Sequence, residues 1–288
     1  MRKPAALLLL VVVVAGPASA ESCPGLFAGG LAPVLDNPRL AAGTTPLCYR
    51  AFALLYSGLS RTPLYAAEHL TAASVRAARS IDRVDAFHEE RRLPESARSA
   101  LDDYAGSGWD RGHMAPSGDM PDPEAQEESF SLANIVPQNP EFNRTLWAGI
   151  ESAVRNLAVE RGGLFVVTGP LFEGGSVQAL RGRVLVPTRL FKAVYDPARR
   201  EAGIYLAPNA AGGRWEAVSP ARLAEIGGIT VFPDLPAAAR SRTMALPEPQ
   251  RDAYGGARRR EPSFADWLLA ELRRMARRAW RDFLRSLF

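Results

Sequence analysis

The chain has 288 residues and a formal net charge of +4, but this charge is unevenly distributed. Nine arginines and four acids fall within residues 258–288, which leaves the body, residues 21–257, with a net charge of −3. This excludes a body that attracts polyanions through a strong overall field. Any such partner must be bound by local cationic groups and a metal ion.

Residues 1–20 have the pattern of a secretory signal peptide. Arg2 and Lys3 precede an apolar run over 5–15 and the small residues Ala18, Ser19 and Ala20. The run has about 11 residues, short of the roughly 20 that span a bilayer, and nothing else in the chain is longer and as apolar. We expect cleavage before Glu21 and export to the periplasm or the medium, with an uncleaved anchor as the alternative.

Cys23 and Cys48 are the two cysteines, and both lie after the predicted cleavage site. In an oxidising compartment an even number of cysteines favours a disulfide. Free buried thiols are the alternative.

The body predicts one α+β domain over residues 48–236, preceded by an extended arm over 21–47 that is rich in Pro and Gly. Residues 80–108 are polar and predict a loop with a short helix that opens at Pro94. Apolar runs bounded by Gly, Pro or Ser predict strands over residues 49–55, 64–70, 164–168, 184–187, 191–195 and 204–206.

Helical spacing of apolar residues predicts a central helix over 143–161, ended by Gly162 and Gly163. A short helix is expected over 220–226. A linker over 237–262 then leads to a basic amphipathic helix over 263–288. Three interpretations of that helix stay open: binding to an anionic membrane surface, binding to nucleic acid, or packing as an ordinary terminal helix.

Four side chains have the chemistry needed to cut a phosphodiester. Imidazole, here His113, has a pKa suited to removing a proton from water. Asn143 offers a hard carbonyl oxygen, which suits a hydrated Mg²⁺ ion that needs few protein ligands. Glu151 and Arg155 follow eight and twelve residues later, on a broad stripe of the same predicted helix.

Two stretches of the chain resemble the signature of the DNA/RNA non-specific endonucleases, a family that includes the endonuclease-G-like enzymes. The first runs from Tyr104 to Pro116 and contains Asp110-Arg111-Gly112-His113; the second runs from Asn134 to Arg155. With weaker likenesses on either side, the resemblance covers about residues 45–236. It implies a ββα-metal (His-Me finger) nuclease core with a mixed or antiparallel sheet and flanking helices.

The resemblance also implies roles for individual residues. His113 would be the general base, and Asn143 would be the sole direct protein ligand of Mg²⁺, Mn²⁺ or another divalent cation. Glu151 and Asn134 would orient the waters of the metal, and Arg155 would face the phosphate. Arg61 would stabilise the charge of the transition state, and Arg111 would support the site or contact phosphate. The implied substrates are DNA and RNA, cut to leave 5′-phosphate ends.

Structural alternatives exist for each of these residues. His113 could be a buried histidine satisfied by Asp110, and Asn143 a helix N-cap. Glu151 and Arg155 could form an ordinary surface ion pair, Asn134 could satisfy a turn, and Arg61 could be a solvated turn residue. At the level of function, the alternatives are a phosphodiesterase acting on other substrates and a binding protein on an inactive nuclease scaffold.

Overall fold

The structure is a computed structural model that describes residues 23–250. The predicted signal peptide and the predicted basic helix over 263–288 lie outside the described residues, as does the second half of the predicted linker. Within residues 23–250 there is no helix with the length and apolar composition needed to cross a membrane.

Thirteen strands are present in the described part of the chain. In chain order they are β1 (Val34–Leu35), β2 (Thr44–Cys48), β3 (Phe52–Ser57), β4 (Thr62–Thr71), β5 (Asp110–His113), β6 (Ile135–Gln138), β7 (Gly163–Leu171), β8 (Ala179–Leu180), β9 (Val184–Leu185), β10 (Arg189–Asp196), β11 (Glu201–Pro208), β12 (Glu216–Val218) and β13 (Ile229–Thr230). Seven of them form one antiparallel sheet in the order β12-β11-β10-β7-β4-β3-β2. The other six pair as β1-β13, β5-β6 and β8-β9.

Helices cover the sheet and lead into the smaller pairs. They are α1 (Ala72–Ala78), α2 (Leu101–Tyr104), α3 (Pro123–Ser129), α4 (Pro140–Phe142), α5 (Ala148–Arg161), α6 (Pro220–Gly227) and α7 (Ala237–Arg240). A π-helical turn, Asn143–Trp147, joins α4 to α5, so helical backbone runs without a break from Pro140 to Arg161. Short 3₁₀ turns also occur, among them Ser117–Asp119 and Leu132–Asn134.

Strand alternation divides the sheet into two packed faces. Ala66 and Leu70 of β4 belong to a core that includes Ile150 and Val154 of α5. Tyr65 and Ala67 point to the opposite face and join a second core with Leu223 of α6 and Phe232. Successive residues of a strand point to opposite faces, which explains why one strand supplies both cores. The face toward α5 is the one on which the candidate site is built.

The α+β class and the central helix are confirmed, and so are most of the predicted strands. The arm is less extended than predicted, because it contains β1, β2 and three 3₁₀ turns. The helix predicted to open at Pro94 is wrong, since that stretch forms turns and the short helix is Leu101–Tyr104. Residues 237–250 do not behave as a linker: Met244 is buried in the main core.

Candidate functional site

The β5-β6 pair holds His113 in the interior of the protein. Asp110 is opposite Gln138 in this antiparallel pair, and His113 is opposite Ile135. Gly112 has to be glycine here, because a Cβ at this position would lie 1.8 Å from Oε1 of Gln138. The close contact between the two strands therefore explains the glycine of the Asp-Arg-Gly-His motif.

The imidazole of His113 is packed against two phenyl rings, which also contact each other. Its centroid lies 5.5 Å from that of Phe87 and 4.9 Å from that of Phe130. Burial, together with the nearby Arg83 and Arg111, lowers the pKa of His113 to about 3. Its Nε2 atom has no hydrogen-bond partner among the described residues. At neutral pH the ring is therefore uncharged and retains a nitrogen that can accept a proton.

Asn143 is held by the first residue of β5. Its Nδ2 donates to Oδ2 of Asp110 at 2.9 Å, and Arg144 donates to both carboxylate oxygens of Asp110, at 2.9 and 2.6 Å. These bonds fix the orientation of the Asn143 side-chain amide and leave its Oδ1 atom to bind a ligand. The N-cap alternative is wrong for Asn143, because Asn139 caps this helix. Asp110 likewise does not serve to satisfy His113.

The π-helical turn places Asn143 at the start of the helix that also carries Glu151 and Arg155. Such turns are rare and occur often at functional sites. Arg155 is buried and donates from Nη1 to Oδ1 of Asp119 at 2.7 Å. The pair is internal, so the surface-ion-pair alternative does not hold for Arg155. A direct contact of Arg155 with phosphate stays a prediction.

Glu151 is partly buried and lies near buried charged residues, of which Lys192 and Glu68 were not predicted from the sequence. Burial raises the pKa of Glu151 to about 7, while Lys192, Arg155 and Arg83 act in the opposite direction. Lys192 is buried and donates to Oγ1 of Thr168 at 2.7 Å. Glu68 is also buried, and the pKa of its carboxyl lies well above its usual range because of that burial and the nearby Asp119. Interior strand positions normally carry apolar residues, so nothing in the pattern pointed to them.

Arg83 is a site residue that the sequence analysis missed. Its Nη1 donates to Oγ of Ser117 at 2.9 Å, and its guanidinium lies 5.1 Å from the ring centroid of Phe130. The charge of Arg83 lowers the pKa of both His113 and Glu151, so this one cation lies near both groups. It comes from the polar loop after α1, where an isolated arginine gives no sequence signal.

The guanidinium of Arg61 is bound to backbone, and its predicted role in stabilising the charge of the transition state stays a prediction. Arg61 lies in the turn between β3 and β4 with a φ of 55°. Its guanidinium donates to the carbonyl oxygens of Arg98, at 3.1 Å, and Ser96, at 2.7 Å. These bonds give Arg61 a structural role, which is to hold the 96–98 backbone against this turn.

Asn134 also has a structural role. It is fully buried, its Oδ1 accepts from the backbone N–H of Ala115, and its Nδ2 donates to the carbonyl oxygens of Ala115 and Ser129. Both polar atoms of this side chain are thus bonded to backbone, and the predicted role of Asn134 in orienting the waters of the metal stays a prediction. Arg111 is exposed and lies 4.1 Å from the ring centroid of Phe87, so its predicted role stays open.

The donors at this site suit a hard, hydrated cation better than a tightly ligated one. No group of three or more His, Cys, Asp or Glu side chains that could hold a metal occurs within residues 23–250. What the site does offer is one oriented amide oxygen, from Asn143, and one carboxyl group, from Glu151, on the same helix. Mg²⁺ usually keeps several of its waters, so this small donor set fits such an ion.

The chain is similar to known proteins in its family signature, its sequence and its structure. Residues 35–238 match the family model described as DNA/RNA non-specific endonuclease. Nuclease C1 of Cunninghamella echinulata var. echinulata is 36% identical over 176 residues, an alignment covering 56% of this chain and 70% of that protein. The mitochondrial nuclease EXOG of Danio rerio is 36% identical over 186 residues, covering 59% of this chain and 54% of that protein. This chain thus spans about half the length of the second relative.

A solved structure has the same fold. A chain from the crystal structure of the EndoG/EndoGI complex, which concerns the mechanism of EndoG inhibition, superimposes with a TM-score of 0.61 and 28% sequence identity. The superposition covers 69% of this chain and 89% of that chain.

Proposed function

Because the chain belongs to the DNA/RNA non-specific endonuclease family, and so to enzymes that hydrolyse nucleic acids, we propose that it is an exported, metal-dependent endonuclease. It would cut phosphodiester bonds of DNA and RNA with little sequence specificity and leave 5′-phosphate ends. The observation that carries the proposal is the site itself: an uncharged imidazole with an unpartnered nitrogen beside Arg83, next to a helix whose first turn presents the oriented amide of Asn143.

His113 would act as the general base. It is neutral at pH 7, and its buried Nε2 has no hydrogen-bond partner among the described residues. Taking a proton from water converts the ring to a cation, which the buried site and the two arginines disfavour. A bound phosphate would bring negative charge close to the ring and raise the pKa of His113 toward the working pH, where a base is most effective.

Asn143 would hold the divalent ion, Mg²⁺, Mn²⁺ or a similar cation, with Glu151 accepting hydrogen bonds from its waters. When bound, such an ion neutralises the charge that develops on the phosphate oxygens and on the leaving 3′-oxygen. Asp110 would contribute by keeping the Asn143 amide in one orientation, and two hydrogen bonds from Arg144 hold the Asp110 carboxylate in place.

Arg83 and Arg111 would bind the phosphate. Both guanidinium groups lie near His113, and for that reason the positive charge of each lowers the pKa of His113. Arg83 takes the role that the sequence analysis gave to Arg61, because Arg61 is bound to backbone carbonyls of another loop. Guanidinium groups suit phosphate because their donors match its oxygens in pairs.

Export is supported by the disulfide between Cys23 and Cys48, which the structure contains as predicted. Stable disulfides are typical of oxidising compartments. Together with the signal-like pattern of residues 1–20, this favours the periplasm or the medium.

Plasmid DNA and a long RNA, each incubated with the protein in Mg²⁺ or in EDTA, test the proposal. We expect both to be degraded in Mg²⁺ only, and the His113→Ala variant to be slower by about two to four orders of magnitude, as expected for loss of a positioned base. His69→Ala is the matched control, since His69 stacks on Phe165 away from this site. Undiminished cutting by His113→Ala, or binding of nucleic acid without turnover in any divalent ion, would refute the proposal.

A further inference from the structure

A lysine lies in the interior of the protein, on the face of the central sheet toward α5. Lys192 is directly opposite Thr168 in the β10-β7 pair, and it is 1% exposed. Leu190 and Val194, two residues away on either side along β10, belong to the core on that face. The Nζ of Lys192 donates to Oγ1 of Thr168 at 2.7 Å. Because burying an ammonium group is costly unless other groups replace the lost water, further compensating groups are expected nearby.

The aromatic ring of Trp147 is one such group. The Nζ of Lys192 lies 5.7 Å from the centroid of this ring, within the distance of about 6 Å over which an aromatic ring attracts a cation. Trp147 is fully buried and packs against Phe142, with 5.5 Å between the two ring centroids. The attraction between a cation and a ring is stronger away from water, and here both partners are buried. The sheet thus holds a cation near the Trp147 ring through the hydroxyl of Thr168.

Trp147 is the last residue of the π-helical turn that begins at Asn143. The backbone N–H of Ala148, the next residue, donates to the carbonyl oxygen of Asn143 and closes the turn. Phe142 directly precedes the turn, so the two packed aromatic rings flank it at both ends. Such turns are rare within helices, and this one therefore depends on the packing around it. The contact between Lys192 and Trp147 links the sheet to the turn that carries the proposed metal ligand.

We propose that Lys192 is a positioning residue of the candidate site: held by Thr168, it fixes the ring of Trp147 and thereby the turn that presents the Asn143 amide to the divalent ion. This inference rests on the proposed function. A ligand that is already held in its binding orientation loses less conformational freedom when the ion binds, which raises affinity. The charge of Lys192 alone would act in the opposite direction, since an ammonium group repels a divalent cation. The sign of the effect on metal affinity therefore separates positioning from simple electrostatics.

Lys192→Met tests the inference, because methionine keeps an unbranched side chain and removes the ammonium group. Phe191→Leu is the matched control: Phe191 adjoins Lys192 on β10, but it is buried in the core on the opposite face of the sheet. Binding of Mn²⁺ to the full chain is measured without nucleic acid, from the electron paramagnetic resonance signal of the free ion. We expect Lys192→Met to raise the Kd for Mn²⁺ by about tenfold or more, the usual effect of losing a group that orients a metal ligand, and Phe191→Leu to leave it within about twofold.

Amide hydrogen exchange in EDTA gives a readout that requires neither metal nor cutting. Exchange over residues 144–148 should be about tenfold faster in Lys192→Met than in the wild type, because the turn would open more often without this contact. In Phe191→Leu it should be unchanged. In plasmid cutting, the half-saturating Mg²⁺ concentration should rise with the Kd for Mn²⁺, whereas the KM for DNA should stay the same. A general loss of stability would not separate these two constants.

Equal or tighter Mn²⁺ binding by Lys192→Met would overturn the inference. So would weaker binding with unchanged exchange at the turn, since Lys192 would then not act through Trp147. If Lys192→Met does not fold, Thr168→Val carries the test, because it removes only the hydroxyl that holds the ammonium group; we expect its Kd for Mn²⁺ to rise about threefold, the equivalent of one ordinary hydrogen bond. The binding and exchange measurements require no cleavage, so failure of the proposed function would appear separately, as intact plasmid with the wild type in Mg²⁺.

Discussion

At His113, two aromatic rings and two guanidinium groups act on the same imidazole. Of these four groups, only Arg111 belongs to the Asp-Arg-Gly-His motif. The Asp-Arg-Gly-His motif identified the residue, but its ionisation state depends on Phe87, Phe130 and Arg83. A histidine with its ordinary pKa would be partly charged near neutral pH and less available as a base. The contacts made by the loop that contains Arg83 and Phe87 therefore determine the chemistry of the motif.

Arg83 and Arg61 are a matched pair for a test of phosphate binding. We expect Arg83→Ala to lower kcat for plasmid cutting by about 10²- to 10³-fold, the usual cost of removing one group that stabilises transition-state charge. Arg61→Ala should leave kcat within a few-fold of the wild type and lower only thermal stability, because its hydrogen bonds go to backbone. Steady-state kinetics on both variants check this, and a larger kinetic loss for Arg61→Ala would reverse the assignment.

Glu151 should make stability depend on pH. Its folded-state pKa, about 7, lies above its ordinary value of 4.5, so the unfolded state loses its proton first. The contribution of Glu151 to the free energy of unfolding is complete below pH 4.5 and is lost as the pH rises through about 7. Urea titrations in EDTA between pH 5 and 8 should show a stability difference between the wild type and Glu151→Gln that changes across this range. A difference independent of pH would contradict the shift.

Among the elements, the central helix could be predicted from the sequence, whereas the β5-β6 strand pair could not. The helix over 143–161 follows from a local spacing of apolar residues, and the structure confirms it apart from the earlier start at Pro140. The β5-β6 pair has no alternating pattern, since Ile135, Val136, Pro137 and Gln138 are all buried. Its two strands are also separated by the 3₁₀ turn Ser117–Asp119, helix α3 and the turn Leu132–Asn134. Pairing across such a distance depends on tertiary contacts.

The β5-β6 pair can be tested through its one obligatory glycine. Gly112→Ala would force the buried side chain of Gln138 to move, at a cost of about 1–3 kcal/mol in the free energy of unfolding, typical of an overpacked interior. The double variant Gly112→Ala/Gln138→Ala should recover most of that loss, because the conflicting atoms all belong to the Gln138 side chain. Denaturant unfolding of both variants measures this, and equal stability of the single and double variants would show that the conflict lies elsewhere.

Over the whole molecule, the class of the fold and the disulfide could be predicted from the sequence, while the hydrogen bonds of Asn134 and Arg61 could not. Asn134 and Arg61 are polar residues whose hydrogen-bond partners lie in the backbone of distant segments, and no local pattern reveals such partners. The same holds for Lys192 and Glu68, which occupy interior strand positions. Residues 243–250 are a further case, since they belong to a stretch predicted as a linker although Met244 is buried in the main core.

The disulfide should contribute measurably to the stability of the whole domain. It closes a loop across a sequence separation of 25 residues, and it joins the N-terminal arm to β2 at the edge of the central sheet. In the chain-entropy model such a closure stabilises the fold by about 3 kcal/mol. Cys23→Ser/Cys48→Ser should lower the free energy of unfolding by about that amount without changing kcat. An unchanged midpoint of urea unfolding would show that the arm is held by its other contacts alone.

That His113 and Asn143 act in one site is tested most directly by a double-mutant cycle on the rate of DNA cutting in saturating Mg²⁺. His113→Ala and Asn143→Ala should each slow cutting by about 100-fold or more. If the two side chains serve the same step, the double variant should be no more than a few-fold slower than the slower single variant, because residues that act as a unit are strongly non-additive. Losses that multiply in the double variant would contradict a shared site and assign the two residues to independent functions.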